Sequence, residues 1–423
     1  MKPRAGRSVL LCAVLAFALT ARADDWMDNL DETLRTSFFK GTVTVQVSGL
    51  LDLEGYYIQQ PATGLYTEGG NFLFNPRLTI NVDAQITPAI YAFVEARIDR
   101  GFDPADRDLG ARLDQYAISY QPLSQIPIRI QVGKFASVVG TYGERYDSWD
   151  NPFINAPLPY ENLTPIFDST VPASASELVY WRYQTDDEYE RVPIMWGPDY
   201  ASGAAVFGQI GDQFDFAAEV KNTPLSARPG NWDLDSYGLD YPTWSGHADW
   251  RPNAEWRFGL SASIGPYLRP DAGLDQDTNM PVFPDGKHAD DYDQTTVAQD
   301  LTWAWHHWQL WAECFETRFD VPRVGSANTL AYYIETKYEF TPQFFGALRW
   351  NQQMYSTVPV ESSGGYDDYV NEKWGNDIWR IDAALTYRWT EQIQTKLQYS
   401  FTDQQLTGAR EEHLVAGQLT IKY

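Results

Sequence analysis

The strongest constraint in this chain is an alternation that runs too long for an ordinary globular strand. Val43, Val45, Val47, Gly49, Leu51 and Leu53 oppose Thr44, Gln46, Ser48, Asp52 and Glu54. The pattern returns with Leu78, Ile80, Val82, Ala84 and Ile86 against Arg77, Thr79, Asn81, Asp83 and Gln85. It returns again with Ile90, Ala92, Val94, Ala96 and Ile98 against Tyr91, Glu95, Arg97 and Asp99. A period of two puts one residue set on each face of a strand. These runs exceed the usual length of about 5–6 residues, and a tilted strand crosses a bilayer in roughly 9–11. In hydrocarbon every peptide group must find a partner within the protein, so strands cross only as a closed barrel.

The connections alternate in length as well. Short turns fall at Thr87-Pro88, Pro122 to Pro127, Gly211-Asp212, Pro252-Asn253, His306-His307, Thr341-Pro342 and Thr390-Glu391. Longer links lie between them at 60–70, 101–110, 137–200, 222–242, 268–293, 320–327, 358–375 and 403–411. Short turns on one side and long loops on the other are the signature of an outer-membrane barrel. The expectation is all-β: a transmembrane antiparallel barrel of about sixteen strands over residues 41–423. The number becomes eighteen if the strand-like stretch Val179 to Tyr183 also crosses; within the third loop it reads as part of a hairpin. The 16 Trp and 26 Tyr, beside a mean hydropathy of −0.42, suit such a barrel. Half of each strand faces water, and aromatic girdles mark the two interfaces.

Both ends fit this reading. Lys2, Arg4 and Arg7 precede the apolar run Val9 to Leu19, and Ala21-Arg22-Ala23 follows, which predicts a secretory signal over 1–23. Residues 24–40 are expected to form a periplasmic segment; Trp26, Leu30, Leu34 and Phe38, four apart, allow a short amphipathic helix. At the other end Val415, Gly417, Leu419, Ile421 and Tyr423 share one face. Tyr423 is expected to close the last strand at the periplasmic interface and to mark the chain for barrel assembly.

Charge narrows the partners. The chain carries −25, and loss of the signal's four bases makes it −29. With no basic stripe to neutralise phosphates, nucleic acid is not an expected partner. Catalytic patterns are also missing. His247, His288, His306, His307 and His413 sit in no HExxH or Cys-His cluster, and there is no GxSxG elbow or Gly-Lys-Ser/Thr loop. No catalytic residue, cofactor or metal site is therefore assigned. His306-His307, between Trp305 and Trp308, reads as a turn inside an aromatic girdle.

The polar strand faces would line a lumen, where charge is cheap beside water and costly beside lipid. The candidates are Arg77, Arg97, Arg129, Glu95 and Asp99. The third loop, 137–200, is the candidate constriction, because a connection this long is usually functional. It holds eleven acids against three bases, and Glu144, Asp147, Asp150 and Glu161 are expected to face Arg77, Arg97 and Arg129 across the pore. An outer, acidic position against lipopolysaccharide through divalent cations is the other placement for such a loop, and 268–293 is assigned that role.

The strand Ile126-Pro-Ile-Arg-Ile-Gln-Val-Gly-Lys-Phe135, running into Asn151-Pro-Phe-Ile-Asn-Ala-Pro-Leu-Pro-Tyr160, resembles the corresponding strand and loop of bacterial porins. The phosphate-selective porin O and P type is included in that resemblance. It implies a 16-stranded trimeric diffusion channel in a Gram-negative outer membrane, surrounded by lipid and lipopolysaccharide, with the third loop inside the barrel. Phosphate-selective members need bases in that loop; here it is acidic. The expected function is passive diffusion of small hydrophilic solutes and ions with a modest cation preference. A sugar or phosphate channel is the alternative, and a barrel enzyme the second. A sugar channel would need aromatics in a row along the lumen, for which Tyr91, Phe93, Tyr267, Tyr333 and Tyr355 are the candidates.

Overall fold

The computed structural model describes residues 34–38, 41–59, 70–100, 109–122, 127–184, 191–228, 238–273, 283–284, 286–361, 369–405 and 410–423. Residues 1–23, where a signal is expected, and most of 24–40 lie outside these. In chain order the first strands are β1 (Arg35–Phe38), β2 (Val43–Ile58), β3 (Phe72–Thr87), β4 (Ile90–Asp99), β5 (Gly110–Tyr120) and β6 (Ile128–Phe135). Next come β7 (Ala201–Ile210), β8 (Phe214–Lys221), β9 (Thr243–Trp250), β10 (Trp256–Pro266), β11 (Asp293–Trp305) and β12 (Trp308–Val321). Then follow β13 (Gly325–Thr341), β14 (Phe344–Tyr355), β15 (Thr357–Glu361), β16 (Tyr369–Lys373), β17 (Ile378–Arg388), β18 (Ile393–Gln404) and β19 (Arg410–Lys422).

Sixteen of these, β2–β14 and β17–β19, form one antiparallel barrel that closes where β19 pairs with β2. Its burial pattern is inverted relative to a soluble protein. Leu113, Ile118, Val132, Leu260, Leu348 and Leu397 point out and are exposed, while Asp52, Glu54, Arg97, Glu335, Arg349 and Gln398 point in and are buried. That is the alternation expected of strands between lipid and a polar interior. Six of the seven short turns fall where the sequence places them; residues 123–126 of the remaining one lie outside the described residues. The turn at His306-His307 sits in an aromatic belt, with Trp308 against Tyr338 at 4.6 Å and Trp256 against Trp303 at 5.9 Å.

Three expectations need correction. Val179 to Tyr183 is not a strand: Ala175–Trp181 is a helix, capped by Ser174, whose side chain accepts from the Glu177 N–H. Its apolar residues Leu178, Val179 and Trp181 pack under the hairpin of β15 and β16, against Val358 and Trp374, so the barrel does not grow to eighteen. The link expected at 320–327 shrinks to 322–324, because β12 and β13 stay paired as far as Val321 and Gly325. The amphipathic helix fails over its last turn, where Arg35–Phe38 is a strand paired with Val43 to Gln46.

That short strand and the carboxyl end share one edge of β2. Val47 N–H donates to Leu34 O at 3.0 Å, while Gly49 and Tyr423 exchange both backbone bonds at 2.9 and 3.1 Å. The Tyr423 ring lies over Gly49; a Cβ there would come within 2.5 Å of it. Glycine at this position is what lets the aromatic end seat flat on the outer face.

Candidate functional site

The third loop leaves β6, folds into the barrel and crosses to the opposite wall. Its root is held by Glu219 on β8, which accepts from Ser137 Oγ at 2.7 Å and Val138 N–H at 3.3 Å. Gly140 then turns with φ +72°, a conformation that favours glycine, and a Cβ there would meet Tyr160 Oη at 2.6 Å. Beyond the turn, Glu313 on β12 gathers the chain. Its Oε1 accepts from Thr141 N–H (2.5 Å), Thr141 Oγ1 (2.7 Å) and Tyr142 N–H (2.9 Å), and its Oε2 from the Tyr160 hydroxyl. Arg145 bonds Glu335 on β13 and the Tyr333 hydroxyl. Arg349 on β14 holds Asn155 Oδ1 at 2.5 Å and Asp382 at 2.8 Å. Lys396 on β18 donates to the carbonyls of Ser148 and Asn151. Strand residues on β8, β12, β13, β14 and β18 thus hold the loop as a shelf inside the barrel.

Cavities lie on both sides of this shelf. Toward the long loops, one of about 140 Å³ is lined by Arg77, Arg97, Arg112 and Arg228, with Glu54, Asp99 and Glu161. Toward the short turns, one of about 550 Å³ is lined by Arg129, Glu144, His247, Asp249 and Arg257. Another of about 310 Å³ there is lined by Glu144, Arg145, Asp150, Lys337 and Arg388.

Every predicted lumen residue lines a cavity or is paired beside one, but the predicted face-off between loop acids and early arginines holds for one pair. Asp147 approaches Arg97 at 4.0 Å, and the Arg97 guanidinium lies over the Tyr146 ring. Arg77 instead bonds Asp52 at 3.2 Å and also Glu54, both on its own wall. Arg129 stacks on Phe207. Glu144 pairs with Arg257 on β10 at 2.7 Å, and Glu161 with Arg380 on β17. Burial raises the Glu161 carboxyl while Arg380 pulls it back. Glu95 bonds Arg97 at 2.8 Å, and Asp99 bonds Arg112. Cross-strand neighbours sit close enough to neutralise one another before a loop residue arrives. The ion-paired cluster on the wall of β2 to β5 therefore holds five carboxylates, Asp52, Glu54, Glu95, Asp99 and Asp114, among three guanidiniums.

No protein-family model and no curated protein matches this chain. Solved structures do. DcaP, an outer-membrane channel of Acinetobacter baumannii, shares 10% identity and a TM-score of 0.55 over 92% of this chain and 100% of its own. OmpF of Salmonella typhi gives 10% and 0.53 over 92% and 100%. An anion-selective porin from Comamonas acidovorans gives 9% and 0.54 over 90% and 100%. The chain has the fold of an outer-membrane porin. Its apolar exterior and closed barrel agree with that setting.

Sequence reasoning missed several residues of the porin fold's interior, for identifiable reasons. Arg112 and Asp114 escaped because a β-bulge shifts the register of β4 and β5 between Glu95 and Ala96. The bulge turns Asp114 and Gln115 inward together and breaks the simple alternation. Arg228 comes from the fourth loop, where no periodicity exists to read. Glu313 shares its inward face with Trp311 and Phe315, a mixed pattern that hides it. Of the five aromatics expected to form a row, Tyr333 and Tyr355 are buried against Arg145 and Asn162 of the loop and Tyr267 against Phe319, while Tyr91 and Phe93 stack on each other at 5.9 Å.

Proposed function

We propose that this protein is a passive diffusion pore for small hydrophilic solutes and ions, with a modest preference for cations. The observation that carries the reading is the third loop pinned across the barrel between charged walls. A channel of this kind selects by the width left beside the loop and by the charge of its lining. The excess of carboxylates on the wall of β2 to β5 supports cation preference, as does the acidic loop. The resemblance to porins supports assembly as a trimer in a membrane of lipid and lipopolysaccharide. Two recordings in planar bilayers test this. Replacing Tyr142 to Thr170 with a short Gly/Ser linker is expected to raise single-channel conductance and to admit larger sugars in a swelling assay. At low salt the native reversal potential is expected to favour cations, and the preference fades as salt shortens the screening length toward about 8–10 Å. An unchanged size cutoff in the folded loop variant would refute the shelf as the constriction, and a clear anion preference would refute the selectivity.

A further inference from the structure

His247, Asp249 and Asp300 form a cluster on the inner barrel wall, beside the residues that anchor the third loop. One ring nitrogen of His247 and one carboxylate oxygen from each aspartate lie within 4.8 Å of one another. They come from two strands, β9 and β11, with β10 between them. His247 and Asp249 share the inward face of β9, Gly259 of β10 stands opposite Asp249, and Asp300 of β11 stands opposite Gly259. Gly259 explains how two carboxylates separated by a whole strand come together. With no side chain there, the Asp300 carboxylate leans into the space, and a Cβ on Gly259 would sit 2.1 Å from its Oδ2.

Two observations separate this cluster from an ordinary group of wall charges. The Asp300 side chain is 0% exposed, and among the described residues neither of its oxygens has a hydrogen-bond partner. A buried carboxylate with no donor carries a heavy desolvation cost unless something positive reaches it. The nearest basic atom is His247 Nδ1 at 4.0 Å, too far for a hydrogen bond. The second observation is that the imidazole is already oriented. Its Nδ1 lies 2.6 Å from Ser261 Oγ, which also accepts from the Gly140 N–H at the loop's turn. A metal-ligating histidine is commonly fixed through its other nitrogen in this way. With Nδ1 turned to Ser261, Nε2 faces Asp249 at 3.0 Å.

The geometry points to a site for a divalent transition cation of the Zn²⁺ class, held by His247, Asp249 and Asp300. One imidazole and two carboxylates are the ligand types such ions take in sites with an open position. Three protein ligands suit Ca²⁺ poorly, since it takes six to eight oxygens. Tetrahedral ligands about 2.0–2.1 Å from zinc stand about 3.3 Å apart, so separations of up to 4.8 Å in the cluster have to contract by up to about 1.5 Å. Arg257 bonds both oxygens of Asp249 at 2.9 and 2.8 Å and lowers the affinity by its charge; a carboxylate keeps lone pairs for a further partner. His247 and Asp249 line the 550 Å³ cavity, so the ion enters from the lumen. The same Arg257 binds Glu144 of the loop, so a bound ion changes the charge beside the constriction.

The test uses the whole barrel in detergent and in planar bilayers, with Zn²⁺ as the probe and Mg²⁺ as the control. Titration calorimetry is expected to show one saturable Zn²⁺ per chain. Single-channel current is expected to fall with the same half-saturating concentration, with no such block by Mg²⁺. His247→Gln and Asp300→Asn should each raise that concentration at least about tenfold, and Gly259→Ala should do so by displacing Asp300. Heat-modifiable mobility shows that each variant is folded, and at least one must be for the comparison. Zn²⁺ binding unchanged in the folded variants, no saturable binding by the native barrel, or equal block by Mg²⁺ would each overturn the site.

Discussion

Removing the Glu313 side chain is the most direct trial of how the third loop is held. That carboxylate accepts four hydrogen bonds from the loop: two from backbone N–H groups, one from Thr141 Oγ1 and one from the Tyr160 hydroxyl. Glu313→Ala leaves the N–H groups of Thr141 and Tyr142 without their acceptor. A buried donor left unpaired costs about 1–3 kcal/mol, so the pair sets a scale of about 2–6 kcal/mol. Water entering from the neighbouring cavities recovers part of that, which favours the lower end. At about 2 kcal/mol the detached form of this segment gains roughly thirtyfold, since each 1.4 kcal/mol is a factor of ten. The barrel's own ladders are untouched, so heat-modifiable mobility is expected to stay native. Hydrogen exchange followed by mass spectrometry is expected to speed up in peptides covering Gly140 to Tyr146, and single-channel current to become noisier. Glu313→Gln keeps an acceptor oxygen and is expected to fall between. Native exchange and quiet current in a folded Glu313→Ala barrel would refute this anchoring.

Tyr423→Ser is expected to lower the amount of folded protein in the outer membrane, because the closing strand loses the ring that seats on Gly49; normal levels of heat-modifiable barrel would refute it. Asp199, at the loop's root, gives a pH effect: desolvation pushes its carboxyl up to about 7, with Lys221 pulling down and Glu219 pushing up. Because the folded state holds this proton more tightly than an unfolded carboxyl near about 3.9, its stabilising contribution is present in acid and is lost as pH rises from about 4 through about 7. Current noise from the loop is therefore expected to grow between about pH 5 and about pH 8, and to stay level in Asp199→Asn; a parallel rise in that variant would count against the assignment.

The barrel was legible because lipid allows few solutions. A period of two over ten or more residues, joined by alternating short and long links, leaves a closed barrel as the structure that satisfies the backbone. Five of the seven expected turns carry Pro, Gly or Asn between such runs, as at Thr87-Pro88 and Pro252-Asn253. The exceptions occur where that logic loses its grip. Val179 to Tyr183 is apolar and short, so periodicity does not separate strand from helix; its surroundings in the loop, not its own pattern, made it helical. The third loop's entry into the barrel came from its length and position, but its partners did not follow from charge. Glu161 is acidic and lies in the predicted loop, yet it meets Arg380 on the far wall because the chain has already crossed the lumen.

The same limit explains the cluster at His247. A histidine and an aspartate two apart on a strand share a face, and such a pair by itself is simply wall polarity. What distinguishes this one is the neighbouring strand, where Gly259 supplies no side chain, and the strand after that, where Asp300 fills the gap. None of these residues is informative alone, and their separation along the chain follows from the barrel's register. A barrel wall reads out as strands in sequence but works as rows across strands. Asp249, Gly259, Asp300 and Glu313 occupy one such row, each opposite the next. At one end of it Arg257 ties Asp249 to Glu144, and at the other Glu313 takes the loop's backbone. The loop is therefore anchored at both ends of the row that holds the candidate cation site, and an ion bound there acts on the segment that narrows the pore.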